Sequence, residues 1–207
     1  LHPRYGIGGA DFSSTTDLTA AVVLFMLPND PHIYVMAMFW LPEELLERRV
    51  REDRIPYDLW KDQGYLRTCE GNKVRQKDVT DWFLEVQNDL DCYIYRGGYD
   101  AWSASYWVDE MQETFGKGVF TPVQQTMKVL SLPMKQLGAD FDSKLIVYNN
   151  NPVLKWCLAN TGIVEDKNGN IKPNKTSKAR KRIDGLAALL DAFVVFQDCQ
   201  DDYKSML

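Results

Sequence analysis

Acidic residues carry most of the chemistry this sequence can offer. It holds only two histidines, His2 and His32, and its four cysteines at 69, 92, 157 and 199 stand singly, with no C-x-x-C pair. That pattern indicates neither a zinc knuckle nor a disulfide framework, fits a reducing cytoplasm, and disfavours a histidine-metal nuclease. Three aspartates stand out instead. Asp11 ends an apolar run between Ala10 and Phe12, where a buried carboxylate is costly unless it pairs or coordinates. Asp100 follows Gly97-Gly98-Tyr99 at a strand-to-helix junction, and taken alone it is better explained as the cap of a helix begun at Ala101. Asp184 opens the last apolar-striped stretch, where a helix dipole favours negative charge in any case. Acidic oxygens converging from separate elements are what a two-metal phosphodiester cutter needs, with hard cations ~3.5–4 Å apart activating water and stabilising the leaving oxygen. Asp191 shares a helix face with Asp184 but lies two turns on, ~10 Å along the axis, and reads as solvated or as a support behind the ligands. Asp17 follows four hydroxyl residues and reads as a support for the turn around Asp11.

The elements that must position these residues can be read from periodicity. Tyr5 to Phe12, Ala20 to Leu27 and Ile33 to Trp40 are apolar runs joined by short polar turns, which predicts three strands in an antiparallel meander. Pro42 predicts the opening of a charged helix through about Arg54, and Tyr65 to Glu70 a short strand. Helix and strand then alternate, as in a mostly parallel sheet. Val79, Trp82, Phe83, Val86 and Leu90 mark a helix. Cys92 to Tyr95 is a strand ended by Gly97-Gly98, and a helical stripe follows from Ala104 to Phe115. Val119-Phe120 is a short strand, and Val123 to Leu137 a helix. Leu145 to Tyr148 is a strand and Pro152 to Ala159 a helix. Asn168-Gly169 signals a two-residue hairpin, and the stripe from Ile183 to Val194 is the closing helix. The fold class expected is α/β, a mixed sheet flanked by helices, with residues 1–207 forming one domain.

A net charge of −5 leaves any nucleic-acid partner to local basic patches. The stretch containing Lys172, Lys175, Lys178, Arg180, Lys181 and Arg182 has no acidic residue and is the candidate phosphate-binding segment, gripping the backbone without reading bases; a mobile solvated loop is the bland alternative. Arg48, Arg49, Arg51 and Arg54 interleave with acids and read as a salt-bridged helix face. Trp82, Trp102 and Trp107 read as core rather than base-stacking platforms. No apolar run approaches the ~20 residues of a membrane-spanning helix, and the residues that follow Leu1 do not resemble a charged-plus-apolar secretory leader.

With these residues in order, the sequence resembles the nuclease domain of the large terminase subunit of tailed double-stranded DNA phages. The resemblance rests on Gly9-Ala10-Asp11-Phe12-Ser13-Ser14-Thr15-Thr16-Asp17-Leu18-Thr19-Ala20, Tyr99-Asp100-Ala101-Trp102, Asn151-Pro152-Val153-Leu154-Lys155-Trp156 with Asn160, and Ile183-Asp184-Gly185-Leu186-Ala187-Ala188-Leu189, together with Tyr57, Trp60 and Gly64. No one piece is very specific; their order is. It implies an RNase H-like sheet with the ligands for Mg2+ or Mn2+ on Asp11, Asp100 and Asp184. It also implies cutting of concatemeric viral DNA in the cytoplasm of an infected bacterium. In that family the domain follows an ATPase motor and works with a small terminase subunit and a portal or procapsid. No G-x-x-x-x-G-K-[ST] loop occurs in this chain, so the motor half is absent and the chain reads as the C-terminal part of a longer one. Many relatives carry a histidine before the Asn-Pro pair, where this chain has Tyr148-Asn149-Asn150, and that residue's role does not transfer.

Two other readings are weighed against this one. Asp11 before a Ser/Thr-rich turn also resembles the first phosphate loop of actin-like and sugar-kinase ATPases, but Phe12 stands where those proteins place glycine. A non-catalytic DNA- or procapsid-binding module of the same fold would be favoured by loss of one of the three aspartates, and none is lost.

Overall fold

The computed structural model describes residues 2–12, 18–102, 107–175 and 181–207. The expected meander forms: β1 (Tyr5–Asp11), β2 (Thr19–Phe25) and β3 (Ile33–Pro42) pair antiparallel in sequence order. Parallel strands extend it on both sides, β4 (Leu66–Cys69) along the end of β3, and β5 (Tyr93–Asp100) and β6 (Phe120–Val123) beyond β1. The sheet order is therefore β4-β3-β2-β1-β5-β6, with the two-residue strand β7 (Ile146–Val147) parallel to the start of β3.

Alternation along β2 divides the core between the two faces. Ala21 and Val23 join Val79, Trp82, Phe83 and Val86 of helix α3 on one side, where Trp107 and Met111 of a following helix complete the cluster. Ala20, Val22 and Leu24 join Leu186, Leu189, Leu190 and Phe193 of the closing helix on the other. Successive side chains of a strand point to opposite faces, and a strand covered on both faces reads as the continuous apolar run TAAVVLF. Helices α1 (Leu46–Asp53) and α2 (Tyr57–Asp62) follow β3, and α3 (Gln76–Leu90) and α4 (Trp107–Phe115) flank β5 in sequence. They are followed by α5 (Met127–Asp142), α6 (Pro152–Ala159), α7 (Asp184–Asp198) and the short α8 (Gln200–Ser205). Met26 N–H donates to the Tyr203 hydroxyl, which donates in turn to the Tyr5 carbonyl, so α8 ties down the outer ends of β1 and β2. Among the described residues no helix is long and apolar enough to cross a membrane.

Besides the start of α5, where Val123 ends β6 and the helix begins at Met127 instead, three sequence expectations shift. Pro42 ends β3, and Glu43–Leu45 forms a 3-10 turn before α1. The hairpin of β8 (Thr161–Glu165) and β9 (Ile171–Lys175) pairs Glu165 with Ile171, so five residues make its loop instead of two. Asp166 holds that loop, accepting from the N–H groups of Asn168 and Asn170. The third shift is the largest: Gly97 and Gly98 do not end a strand but lie inside β5, paired with Gly8 and Gly9 of β1.

Candidate functional site

Two Gly-Gly-x-Asp segments lie side by side in register. Gly8 pairs with Gly97, Gly9 with Gly98 and Ala10 with Tyr99 across parallel strands. Asp11 and Asp100 therefore end neighbouring strands at the same level. Helix α7 shows which face they take. A Cβ on Gly9 would collide with the Ala188 carbonyl, and one on Gly98 would stand 2.6 Å from the Asp191 carbonyl oxygen. Gly9 and Asp11 are two apart, as are Gly98 and Asp100, so both carboxylates leave the sheet on the face that α7 crosses. Asp184, the first residue of α7, lies one turn before Ala188 and is 6% exposed.

Electrostatics place the four acids around one another. Burial, then the charges of Asp184, Asp191 and Asp100, push the Asp11 carboxyl well above the ordinary carboxylate range, while Lys175 opposes the rise. Asp191 is 1% exposed, which removes the solvated reading of this residue. Burial pushes its carboxyl up strongly, and Asp100 adds to this, against a hydrogen bond from Gln125 Nε2 at 2.8 Å. The Gln125 amide also donates to the Val123 carbonyl at 3.2 Å, fastening α7 to the end of β6. The second oxygen of Asp191 is buried without a hydrogen bond. Asp100 Oδ1 accepts the Trp102 N–H at 2.9 Å, and residues 103–106 lie outside the described residues.

The sign of the resulting pH dependence follows directly. The unfolded chain releases the Asp11 proton near pH ~4, whereas the folded protein retains it to a higher pH. From pH ~4 up to the raised folded value, metal-free stability falls by up to about 1.4 kcal/mol per pH unit for each proton so retained. Asp11→Asn is expected to flatten that slope in urea unfolding measured at pH 4 to 8. Equal slopes in parent and variant would refute the repulsive cluster.

Other sequence motifs gather behind Asp184. Asn151 caps α6, its Oδ1 accepting from Val153 and Leu154 N–H at 3.1 Å each, with Pro152 next to it. Asn160 Nδ2 donates to the Arg182 carbonyl at 3.1 Å. Tyr57, Trp60 and Trp156 pack with ring centroids 5.6–5.8 Å apart. The basic stretch divides. Lys175 is exposed and acts on Asp11, Lys172 and Lys181 are half-buried, and Lys178 and Arg180 lie outside the described residues. Arg182 departs from the sequence expectation: it is buried, with its guanidinium 3.6 Å from Asp53. It faces inward and offers no phosphate contact. Asp17 also lies outside the described residues. Trp82 and Trp107 are core as expected, but Trp102 is 85% exposed. The Arg48–Glu52 pair at 2.7 Å bears out the salt-bridged helix face.

Residues 3–199 match the model of the terminase large subunit endonuclease domain. The chain belongs to this family. Like other terminase nuclease domains, it has solved counterparts. It is 32% identical over 191 residues to the terminase large subunit of Enterobacteria phage HK97, covering 90% of this chain and 36% of that protein. The crystal structure of the HK97 large terminase superposes with a TM-score of 0.83 at 29% identity, over 94% of this chain and 40% of that one. Two more distant terminase nucleases share the fold. That of thermophilic phage G20c with bound magnesium gives a TM-score of 0.55 at 14% identity, over 91% and 80% of the two chains. That of bacteriophage SPP1 with bound manganese gives 0.52 at 15%, over 94% and 86%. The chain thus spans little more than a third of the curated HK97 relative. The RNase H-like architecture expected of the family is the one observed.

Among the described residues, no group of three or more His, Cys, Asp or Glu side chains is arranged to hold a metal ion as it stands. The donor set nonetheless suits a hard cation. It is all carboxylate, burial and mutual repulsion raise its central member, and beside it lies a buried oxygen of Asp191 with no hydrogen bond. Carboxylates of this kind take Mg2+ or Mn2+ in preference to softer ions.

Proposed function

We propose that this domain is a divalent-metal-dependent endonuclease that hydrolyses phosphodiester bonds of double-stranded DNA. One observation carries the reading: Asp11 and Asp100 end adjacent parallel strands on the face crossed by α7, whose first residue is Asp184, so carboxylates far apart in sequence act on one another. Asp11, Asp100 and Asp184 would hold the Mg2+ or Mn2+ ions, two of them by the chemistry of the donor set. Those ions supply an activated water and stabilisation of the leaving oxygen. Asp11 sits centrally and faces both flanking acids. Asp191 and Gln125 support the cluster from below. Lys175, with Lys172, Lys178, Arg180 and Lys181, draws the phosphate backbone to the carboxylates without reading bases. In a longer chain the domain would follow an ATPase motor and act with a small terminase subunit and a portal or procapsid. It would process concatemeric viral DNA in the cytoplasm of an infected bacterium.

The test is cleavage of supercoiled plasmid with Mg2+ or Mn2+, and with EDTA. Nicked and linear products are expected with either metal and none with EDTA; cutting that survives EDTA, or no cutting at all, removes the reading. A second expectation concerns Lys175. In Ca2+, Lys175→Ala is expected to weaken DNA binding severalfold and to lower the slope of log affinity against log salt by about one. An unchanged slope would show that Lys175 touches no phosphate.

A further inference from the structure

What fixes the place where α7 begins, and so where Asp184 points, is not a conventional cap. Ile183 precedes the helix and offers no capping side chain. Gly9 and Gly98 lock the body of the helix onto the sheet, but they lie below the first turn. Gly185 limits how near that turn comes to Phe39 and Cys157 without setting where the chain enters the helix. The residue that reaches across is Arg182, two positions before Asp184. Its guanidinium lies 3.6 Å from Asp53 Oδ2, with the two side chains 7% and 3% exposed. The same oxygen accepts the Tyr57 hydroxyl at 3.0 Å, and Arg182's own carbonyl accepts from Asn160.

We propose that the buried Asp53–Arg182 ion pair is a positioning device that aims Asp184 into the carboxylate cluster. A buried ion pair is weak evidence for stability, because apolar residues of similar volume often serve the fold as well or better. What such a pair does well is demand one geometry. Here it joins the end of α1 to the chain just before the proposed ligand. The pair touches no substrate and acts through Asp184 alone. Partners that orient metal ligands typically change metal affinity by about 10–100-fold when removed.

The inference rests on the nuclease reading, and the experiment separates the two. The purified domain and its Arg182→Met, Arg182→Lys, Tyr57→Phe and Arg48→Met variants are compared for Mn2+ affinity by electron paramagnetic resonance without DNA, for thermal unfolding, and for plasmid cleavage across Mn2+ concentrations. Arg182→Met leaves Asp53 buried without its partner and is expected to unfold about 10 °C below the parent, yet, measured well below that temperature, to bind Mn2+ about ten-fold more weakly. Its cleavage should fall correspondingly at limiting Mn2+ and recover in excess. Arg182→Lys should recover most of the affinity, Tyr57→Phe, which removes one hydrogen bond to Asp53, should lose less than Arg182→Met but measurably, and Arg48→Met, in the exposed pair of α1, should match the parent. If Arg182→Met does not fold, Tyr57→Phe decides: weaker Mn2+ binding supports the inference and parental binding overturns it. Parental affinity in a folded Arg182→Met, or lost cleavage that excess Mn2+ does not restore, overturns the ion pair's role and leaves the nuclease reading standing. A parent that neither binds Mn2+ nor cuts overturns both.

Discussion

Asp11→Ala is expected to abolish metal-dependent plasmid cleavage, by about a thousand-fold or more, while making the metal-free protein more stable. The two halves have one cause. Burial and three neighbouring acids raise the Asp11 carboxyl well above its ordinary range, so an ionised Asp11 is a cost to the metal-free fold that Asp11→Ala removes. The same removal takes away the central donor of the proposed site. Metal catalysis contributes several kcal/mol of charge stabilisation, and about 1.4 kcal/mol corresponds to each factor of ten in rate. Asp100→Ala and Asp184→Ala are expected to lose activity on a similar scale, with a smaller gain in stability. Gel assays with Mg2+ and thermal unfolding in EDTA check both halves. Variants that cut as well as the parent would remove these residues from the site. Variants that lose activity and stability together would make the cluster structural rather than catalytic.

The second large effect concerns main-chain packing. Gly9→Ala is expected to prevent normal docking of α7, because the added methyl meets the backbone carbonyl of Ala188, which no rotamer change can move aside. Gly98→Ala meets the Asp191 carbonyl oxygen at 2.6 Å and is expected to act in the same direction. Overpacking typically costs about 1–3 kcal/mol and occasionally more, against a total domain stability of about 5–15 kcal/mol. Each ~1 kcal/mol shifts the melting temperature of a domain this size by roughly 2–4 °C. A fall of about 10 °C, or loss of soluble protein, is the expected result for Gly9→Ala. Gly138, inside α5 with nothing within 4 Å of an added Cβ, supplies the contrast. Gly138→Ala is expected to stabilise by about 0.5–1 kcal/mol. Calorimetry on the three variants checks the set, and an unperturbed Gly9→Ala would show that α7 does not press on β1 as described.

These glycines also show where sequence reading stops. The meander, the hairpin, the amphipathic α3 and the closing helix were legible because their periods and turn residues agree with their environments. Gly97-Gly98 was not, because paired glycines signal a break unless one knows that a helix backbone crosses them. The repeat of Gly-Gly-x-Asp at residues 8–11 and 97–100 was a signal in plain view. The second glycine of each pair makes room for α7 just below the carboxylate, and the first makes room for Phe120 on the other face. Asp11, Asp100 and Asp184 could be singled out by burial cost and order. The burial of Asp191, and its bond to Gln125, depends on contacts between distant segments that no local pattern records. Arg182 failed for the same reason: a run of basic residues looks solvated until Asp53 is found facing one of them. Trp102 erred the other way, since an aromatic beside a helical stripe reads as core when it stands in the turn outside it.

The ladder between β1 and β5 has a consequence for ion choice. Main-chain hydrogen bonds hold parallel strands about 4.8 Å apart, so Asp11 and Asp100 spring from a separation the sheet dictates and cannot readily adjust. Asp184 hangs instead from the first turn of a helix whose entry the buried Asp53–Arg182 pair holds. On the proposed reading two jaws of the clamp are set by the sheet and the third by that pair, so the cation radius the site accepts is tuned at the entry to α7 and not along the strands.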